Sequence, residues 1–122
     1  MPTEPSEPTL AEAVHRAVEV VDPAGTEDGP TQLLERFEDR DEPVTGVADI
    51  DEVLAEGRGA IDPQDEDPLV VMAVAVAVYL AFRRTELDDD PDELLKLAAR
   101  AEFDGHPPQH VADWLAERGV AA

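Results

Sequence analysis

The stretch that decides the fold is LVVMAVAVAVYLAF, residues 69–82, in which fourteen consecutive side chains are apolar. The acidic turn Asp65-Glu66-Asp67-Pro68 precedes it and Arg83-Arg84 follows it. As a membrane helix, fourteen residues would span about 21 Å, which is less than the roughly 30 Å hydrocarbon core of a bilayer. As a strand, its Val/Ala alternation has a period of two, but no other segment has the pattern of a partner strand.

The residues that flank this stretch favour a helix. Asp67 is suited to the N-cap position and Pro68 to the first helical position. The acidic residues lie at the positive end of the helix dipole and Arg83-Arg84 at its negative end. We therefore predict a buried central helix over about residues 68–84, with a strand and a membrane segment as the alternatives. A helix that is apolar all round has to be covered by other elements on most of its sides.

Three helices are predicted before the central one. Thr9 and Glu12 have the spacing of a capping box and begin a first helix that ends at Asp22-Pro23. A second helix covers about residues 30–40.

A second capping-box pair, Asp49 with Glu52, begins a short third helix. Gly57 is expected to end it.

Two helices are predicted after the central one. The first begins with Pro91 and ends at Gly105, and the second begins after Pro107-Pro108 and ends at Gly119. The turn between them is short, so we expect them to form an αα-hairpin that packs on the central helix.

The predicted fold class is therefore all-α: a single small bundle of five or six helices around the central apolar helix. Residues 9–122 form this one domain, and residues 1–8 form a disordered tail rich in acidic residues and proline. No internal repeat is apparent in the sequence.

Composition excludes several classes of enzyme. The chain has no Cys, and its only Ser, Ser6, lies in the predicted disordered tail. A thiolate nucleophile and a Cys-ligated metal are therefore excluded, and a serine hydrolase would have no scaffold for its nucleophile. No phosphate-binding glycine loop is present either, so we expect a protein that is not an enzyme and has no cofactor.

The charge indicates a salt-rich environment. Thirty Asp and Glu stand against nine Lys and Arg, which gives a net charge of −21, and Lys96 is the only lysine. This composition resembles that of proteins from salt-accumulating haloarchaea. At 1 M ionic strength the Debye length is about 3 Å, so the repulsion among carboxylates largely disappears. An acidic protein that mimics nucleic acid or binds a basic partner is the alternative.

The N-terminus, MPTEPSEP, lacks the basic and apolar regions of a secretory signal. We therefore expect the chain to be cytoplasmic and not to be associated with a membrane.

His106 and His110 are candidate metal ligands. They are four positions apart, Asp104 precedes them and Asp113 follows, so two imidazoles and a carboxylate are available to zinc or iron. In the competing interpretation, His106 is a turn residue and His110 borders the apolar face beside Trp114.

Residues 97–118 have the length of a helix-turn-helix unit, which makes a DNA-binding regulator a second alternative. Its second helix offers Gln109, His110, Asp113 and Glu117, with Arg118 as the only base. DNA binding draws most of its affinity from Lys and Arg on phosphates, so this composition argues against nucleic acid as the partner.

The leading hypothesis is a non-enzymatic protein that acts through protein–protein contacts, with a protein partner or as a homodimer. If the bundle leaves one face of the helix at 68–84 uncovered, that face is the expected interface.

The charge predicts salt-dependent folding. We expect the far-UV circular dichroism signal of helix to grow as KCl is raised from near zero to about 3 M, because screening removes the repulsion among carboxylates. Light scattering on the same samples gives the mass. A fully helical protein without added salt would contradict the solvent interpretation of the acidity.

Overall fold

The computed structural model describes residues 9–43, 49–64, 66–83, 91–104 and 106–120. In the range 66–83, side chains are described as far as Ala81. The tail at residues 1–8, Arg84 and the predicted helix stop Gly105 lie outside the described residues. Within them the chain is all-helical, with no strand beyond one isolated bridge between Thr9 and Pro43, which confirms the predicted class. The helices are α1 Leu10–Val21, α2 Asp28–Phe37, α3 Ile50–Ile61, α4 Pro68–Arg83, α5 Pro91–Phe103 and α6 Gln109–Glu117.

The apolar stretch forms α4, and α4 is the centre of the bundle. Every residue from Val70 to Ala77 is buried, as are Leu80 and Ala81, and the rest of its described apolar side chains are half-buried. The helices α1, α5 and α3 pack most extensively against it, and α2 and α6 complete its cover. Full burial of a Val, Leu or Met side chain contributes about 1.5–3 kcal/mol, so α4 supplies much of the driving force for folding.

The start of α4 agrees with the sequence prediction. Pro68 is the first helical residue, and the Asp67 carboxylate accepts a hydrogen bond from the Leu69 amide (3.0 Å). This bond satisfies one of the amides that lack a partner within the helix.

The start of α1 is held by local and distant partners. Thr9 and Glu12 form the predicted capping box, with the Glu12 amide donating to Thr9 Oγ1 (3.1 Å) and the Thr9 amide to Glu12 Oε1 (2.9 Å). The chain after α2 adds two acceptors, since the amides of Leu10 and Ala11 donate to carbonyls of residues 42 and 40.

In that segment, the Arg40 guanidinium donates to Glu42 Oε1 (3.0 Å). This hydrogen bond holds the pKa of the Glu42 carboxyl below its usual value.

The structure contains a repeated helix–loop–helix unit that the sequence pattern did not indicate. The pair α1–α2 and the pair α3–α4 begin 40 positions apart, at Leu10 and Ile50, and their second helices, which start at Asp28 and Pro68, keep the same offset. Both first helices have twelve residues and end at an Asp-Pro. The sequence itself shows no internal repeat, since the two units share few side chains apart from Asp-Pro.

An aspartate joins the two helices in each unit. Asp22 and Asp62 are the C-caps, with nearly the same backbone angles (φ −140°, ψ 68° and φ −136°, ψ 71°). The two oxygens of Asp22 accept the amides of Thr26 (3.2 Å) and Glu27 (3.0 Å). Asp62 accepts the amides of the residues at the same offsets, 66 (3.1 Å) and 67 (2.9 Å). In each unit, the aspartate ends the first helix, and its carboxylate holds the loop residues directly before the second helix. This orients the two helices of the unit relative to each other.

The third pair, α5 and α6, follows at an offset of 41 but is built differently. Asp104 ends α5 in the left-handed region (φ 52°) instead of clamping the following loop. Within the described residues, α6 packs chiefly against α4, and α5 packs against α4 and α1, without extensive contact between α5 and α6. The predicted terminal αα-hairpin is thus two helices that share α4 as their support.

The structure also corrects the third helix. Asp49 has a left-handed backbone (φ 55°) and its side chain accepts no capping hydrogen bond, because a side-chain cap requires an extended backbone at that position. The helix continues through Gly57 to Ile61. Gly57 is buried against the Phe37 ring of α2, and a Cβ built at Gly57 would lie 2.8 Å from the ring atom Cε2. Gly57 was predicted to end the helix, but it lies inside the helix, where the absence of a side chain allows close packing against Phe37.

The two glycines of α3 give a matched pair of variants. Gly57→Ala is expected to lower the free energy of unfolding by about 1–3 kcal/mol, because the Phe37 ring has to move. Gly59→Ala is expected to raise it by up to about 1 kcal/mol, because a Cβ there meets nothing within 4 Å and alanine favours the helix.

Urea unfolding in about 2 M KCl measures both changes. Stabilisation by both substitutions would contradict the close packing of Gly57 on Phe37.

Candidate functional site

The segment proposed as a helix-turn-helix is present as helices, but Arg118, the one base offered by its second helix, already has partners within the fold. Arg118 caps α6, and its guanidinium donates to the carbonyls of Val21 (3.1 Å) and Val20 (3.0 Å) at the end of α1. It also lies over the Trp114 ring, 5.1 Å from the centroid. Arg118 therefore connects α6 to α1.

The exposed side chains of α6 carry no positive charge. They belong to Gln109, Asp113, Ala116 and Glu117, and Gln109 donates to Asp113 Oδ1 (2.8 Å). A surface of carboxylates lacks the phosphate contacts that supply most DNA affinity. The arrangement of α6 thus gives the DNA-binding alternative no further support.

The two candidate metal ligands differ in exposure. His106 is exposed in the turn before α6, and His110 is half-buried, with its Nε2 atom shielded from solvent and without a hydrogen-bond partner. Asp104 and Asp113 are exposed. No group of three or more His, Asp or Glu side chains arranged to hold a metal occurs among the residues that the structure describes. A metal site at His106 and His110 stays a prediction.

Three half-buried side chains form a line along α6. His110, Trp114 and Arg118 follow one another at intervals of four residues, which places them on one side of the helix. We call these three residues the α6 row. The row borders the buried residues Val111 and Leu115, which anchor α6 on the core. It contains the only tryptophan of the chain.

A hollow of about 220 Å³ opens between α1 and α2. Its lining residues are Ala11, Glu12, His15, Leu34 and Glu38. We call it the His15 hollow. His15 is exposed on α1, and its position along that helix alone does not indicate a hollow. The hollow depends on how α2 lies against α1, so no local signal in the sequence could have indicated it.

Comparison with protein-family models, with curated proteins and with solved structures finds no match to this chain. No described helix combines the length and the hydropathy required to cross a membrane.

A conservative substitution tests the role of Arg118. Arg118→Lys keeps the charge but cannot donate from two nitrogens in a planar fork, so we expect the free energy of unfolding to fall by about 1–3 kcal/mol. Arg100→Lys, on the exposed face of α5, is the control and should change it by less than about 0.5 kcal/mol. Urea unfolding in about 2 M KCl gives both values. Equal effects of the two substitutions would show that the contact with α1 does not stabilise the fold.

Proposed function

We propose that this chain is a non-enzymatic protein that acts by binding another protein, and that α6 provides the contact surface. The observation that carries the proposal is the α6 row, in which Trp114 and Arg118 are stacked and half-buried at the surface. Trp and Arg are the residue types most enriched among those that dominate binding energy at interfaces. Because Arg118 is already held by α1, the row is ordered before a partner arrives, which lowers the entropic cost of binding.

The central helix is not the interface in this proposal. The burial of Val70 through Ala77 leaves α4 without a wide uncovered face among its described residues. By contrast, among the described residues α6 packs chiefly on α4 and is joined to α1 through Arg118, so it has surface left for a partner.

The charge next to the α6 row indicates what the partner carries. The exposed residues Asp113 and Glu117 alternate with the row along α6. Two copies of this chain related by a two-fold axis at α6 would bring these carboxylates close together, which is unfavourable. A partner segment with Lys or Arg beside an apolar side chain complements the surface. We therefore propose a different protein with such a basic segment, and not a second copy.

We further propose that this binding takes place in a salt-rich cytoplasm. Nineteen of the 23 described Asp and Glu residues are exposed, and only Asp22 is buried. High salt screens the repulsion in such a surface. Direct contacts between a carboxylate and a basic residue at a buried interface are screened much less than exposed pairs, so they persist in salt.

Site-specific crosslinking tests the proposal in cells that contain the natural partners. A photo-crosslinking residue replaces Ala116 on α6 in one variant and Ala55 on α3 in another, since both alanines are exposed. We expect position 116 to give a discrete crosslinked product, with a mass that differs from two copies of this chain, and position 55 to give none. A product with the mass of two copies, or equal crosslinking at both positions, would contradict the proposal.

The captured partner is then purified and its affinity measured in about 2 M KCl. The double variant Asp113→Asn, Glu117→Gln should weaken binding by about tenfold, since it removes two charges beside the row. The matched control Asp51→Asn, Glu52→Gln removes two exposed charges from α3 and should leave the affinity unchanged. If both double variants weakened binding equally, the affinity would depend only on the net charge of the chain and not on the carboxylates beside the α6 row, which would contradict the proposal.

A further inference from the structure

Of the six described helices, α6 has the fewest buried residues. Val111 and Leu115 are the two buried residues of α6, compared with seven in α1 and four in α5, and Val120 adds one shortly after the helix. Among the described residues α6 packs chiefly on α4 and has no extensive contact with α5, which precedes it along the chain. A segment with few buried apolar contacts opens at a lower free energy than the core of the same protein. The attachment of α6 is therefore the weakest in the described bundle.

The sequence of α6 gives it little stability as an isolated helix. It has nine residues, and isolated helices shorter than about 12–15 residues are marginal in water. Its N-cap is Pro108, which supplies no side-chain hydrogen bond, and its first turn has no acidic residue. The segment is thus helical because it is docked on α4, so undocking and loss of the helix occur together.

The connection from α5 does not hold α6 in place. In the first two helix pairs, Asp22 and Asp62 accept hydrogen bonds from the amides directly before the second helix. In the third pair, Asp104 ends α5 with a left-handed backbone (φ 52°), and no corresponding clamp occurs among the described residues. The position of α6 therefore depends on its contacts with α4 and α1.

One buried polar atom opposes the docking of α6. The Nε2 atom of His110 is shielded from solvent and has no hydrogen-bond partner. A buried polar atom without a partner costs free energy, and that cost is recovered when the atom returns to water. Because His110 adjoins the buried Val111 on α6, it regains water when α6 leaves α4.

Arg118 has the opposite effect and favours docking. Its guanidinium donates to the carbonyls of Val20 and Val21 at the C-terminal end of α1. That end is the negative pole of the helix dipole, and α1 has no basic residue in its own last turn. Arg118 supplies the missing cation from 97 positions further along the chain. These two hydrogen bonds form only while α6 is docked.

We propose that α6 opens and closes as one unit on a bundle of α1–α5 that stays folded, and that this motion controls the α6 row. In the closed form Arg118 is bound to α1 and lies over Trp114, so the row is complete. In the open form, a minor population, α6 is not helical and its row residues are no longer aligned. A partner of the row binds the closed form alone and so raises its population. The control of the row rests on the proposed function, whereas the opening is a property of the free chain.

Native-state hydrogen exchange of the free full chain, followed by NMR in about 2 M KCl, measures the opening without a partner. After correction for intrinsic rates, the hydrogen-bonded amides of α6 should exchange at least about tenfold faster than the buried amides of α4. They should share one opening free energy and depend weakly on urea, because little surface is exposed by the opening.

Two variants separate the opening of α6 from global unfolding. Arg118→Lys should accelerate exchange in α6 and in α4 by the same factor, at least about fivefold, because its contact with α1 is absent in both the open and the unfolded chain. Gly57→Ala disturbs the packing of α3 on Phe37 of α2, which the opening of α6 leaves intact. It should therefore accelerate exchange in α4 and leave the amides of α6 unchanged.

Three results would overturn the proposal. If the amides of α6 exchanged at the rate and with the urea dependence of α4, α6 would leave only on global unfolding. Protection that rises steadily from one end of α6 to the other would indicate fraying instead of a single unit. Equal acceleration of α6 and α4 by Gly57→Ala would show that α6 does not open independently of the α2–α3 packing.

Discussion

The need to cover α4 on every side constrains the rest of the structure. Amphipathic helices bury one stripe and leave the other face in water, but α4 has apolar side chains around its whole circumference. A single neighbour covers only part of such a helix. The fold therefore surrounds it with five helices, and α1, α3 and α5 contribute most of the contact. The alternation of Val with Ala along α4 keeps its diameter small, so neighbours approach closely.

The orientation of the helices within the first two pairs depends on two aspartates. Asp22 and Asp62 each end one helix, and each carboxylate accepts hydrogen bonds from the amides of the two loop residues that directly precede the next helix, which fixes the direction in which that helix starts. Hydrogen bonds that backbone amides donate to a carboxylate are among the stronger hydrogen bonds in proteins. Among the residues that the structure describes, the third pair shows no such clamp, and α6 is instead connected to α1 through Arg118, across 97 positions of sequence. The first and last described helices are thus linked directly.

The surface that results is dominated by carboxylates. Large apolar side chains among the described residues are at least half-buried, so hydrophobic patches of the kind that mark obligate interfaces are not present there. Two features depart from this pattern, the α6 row and the His15 hollow. Both place a histidine beside apolar side chains in an acidic setting.

The sequence by itself determined the helices and the identity of the central one. The capping box of Thr9 with Glu12, the Asp67-Pro68 start of α4 and the long apolar stretch are local signals, and each acts within about one helical turn or along one helix. For that reason they could be recognised without knowledge of the fold.

Only the tertiary structure decided the remaining features, because they depend on residues far apart in the chain. Gly57 lies within α3 because the Phe37 ring of α2 occupies the space beside it. Arg118 serves the fold because the carbonyls at the end of α1 come within reach of its guanidinium. The His15 hollow exists because α2 lies against α1 with a gap of about 220 Å³. Local patterns record the preference of each segment for a helix, whereas the arrangement of helices around α4 sets which of their side chains meet.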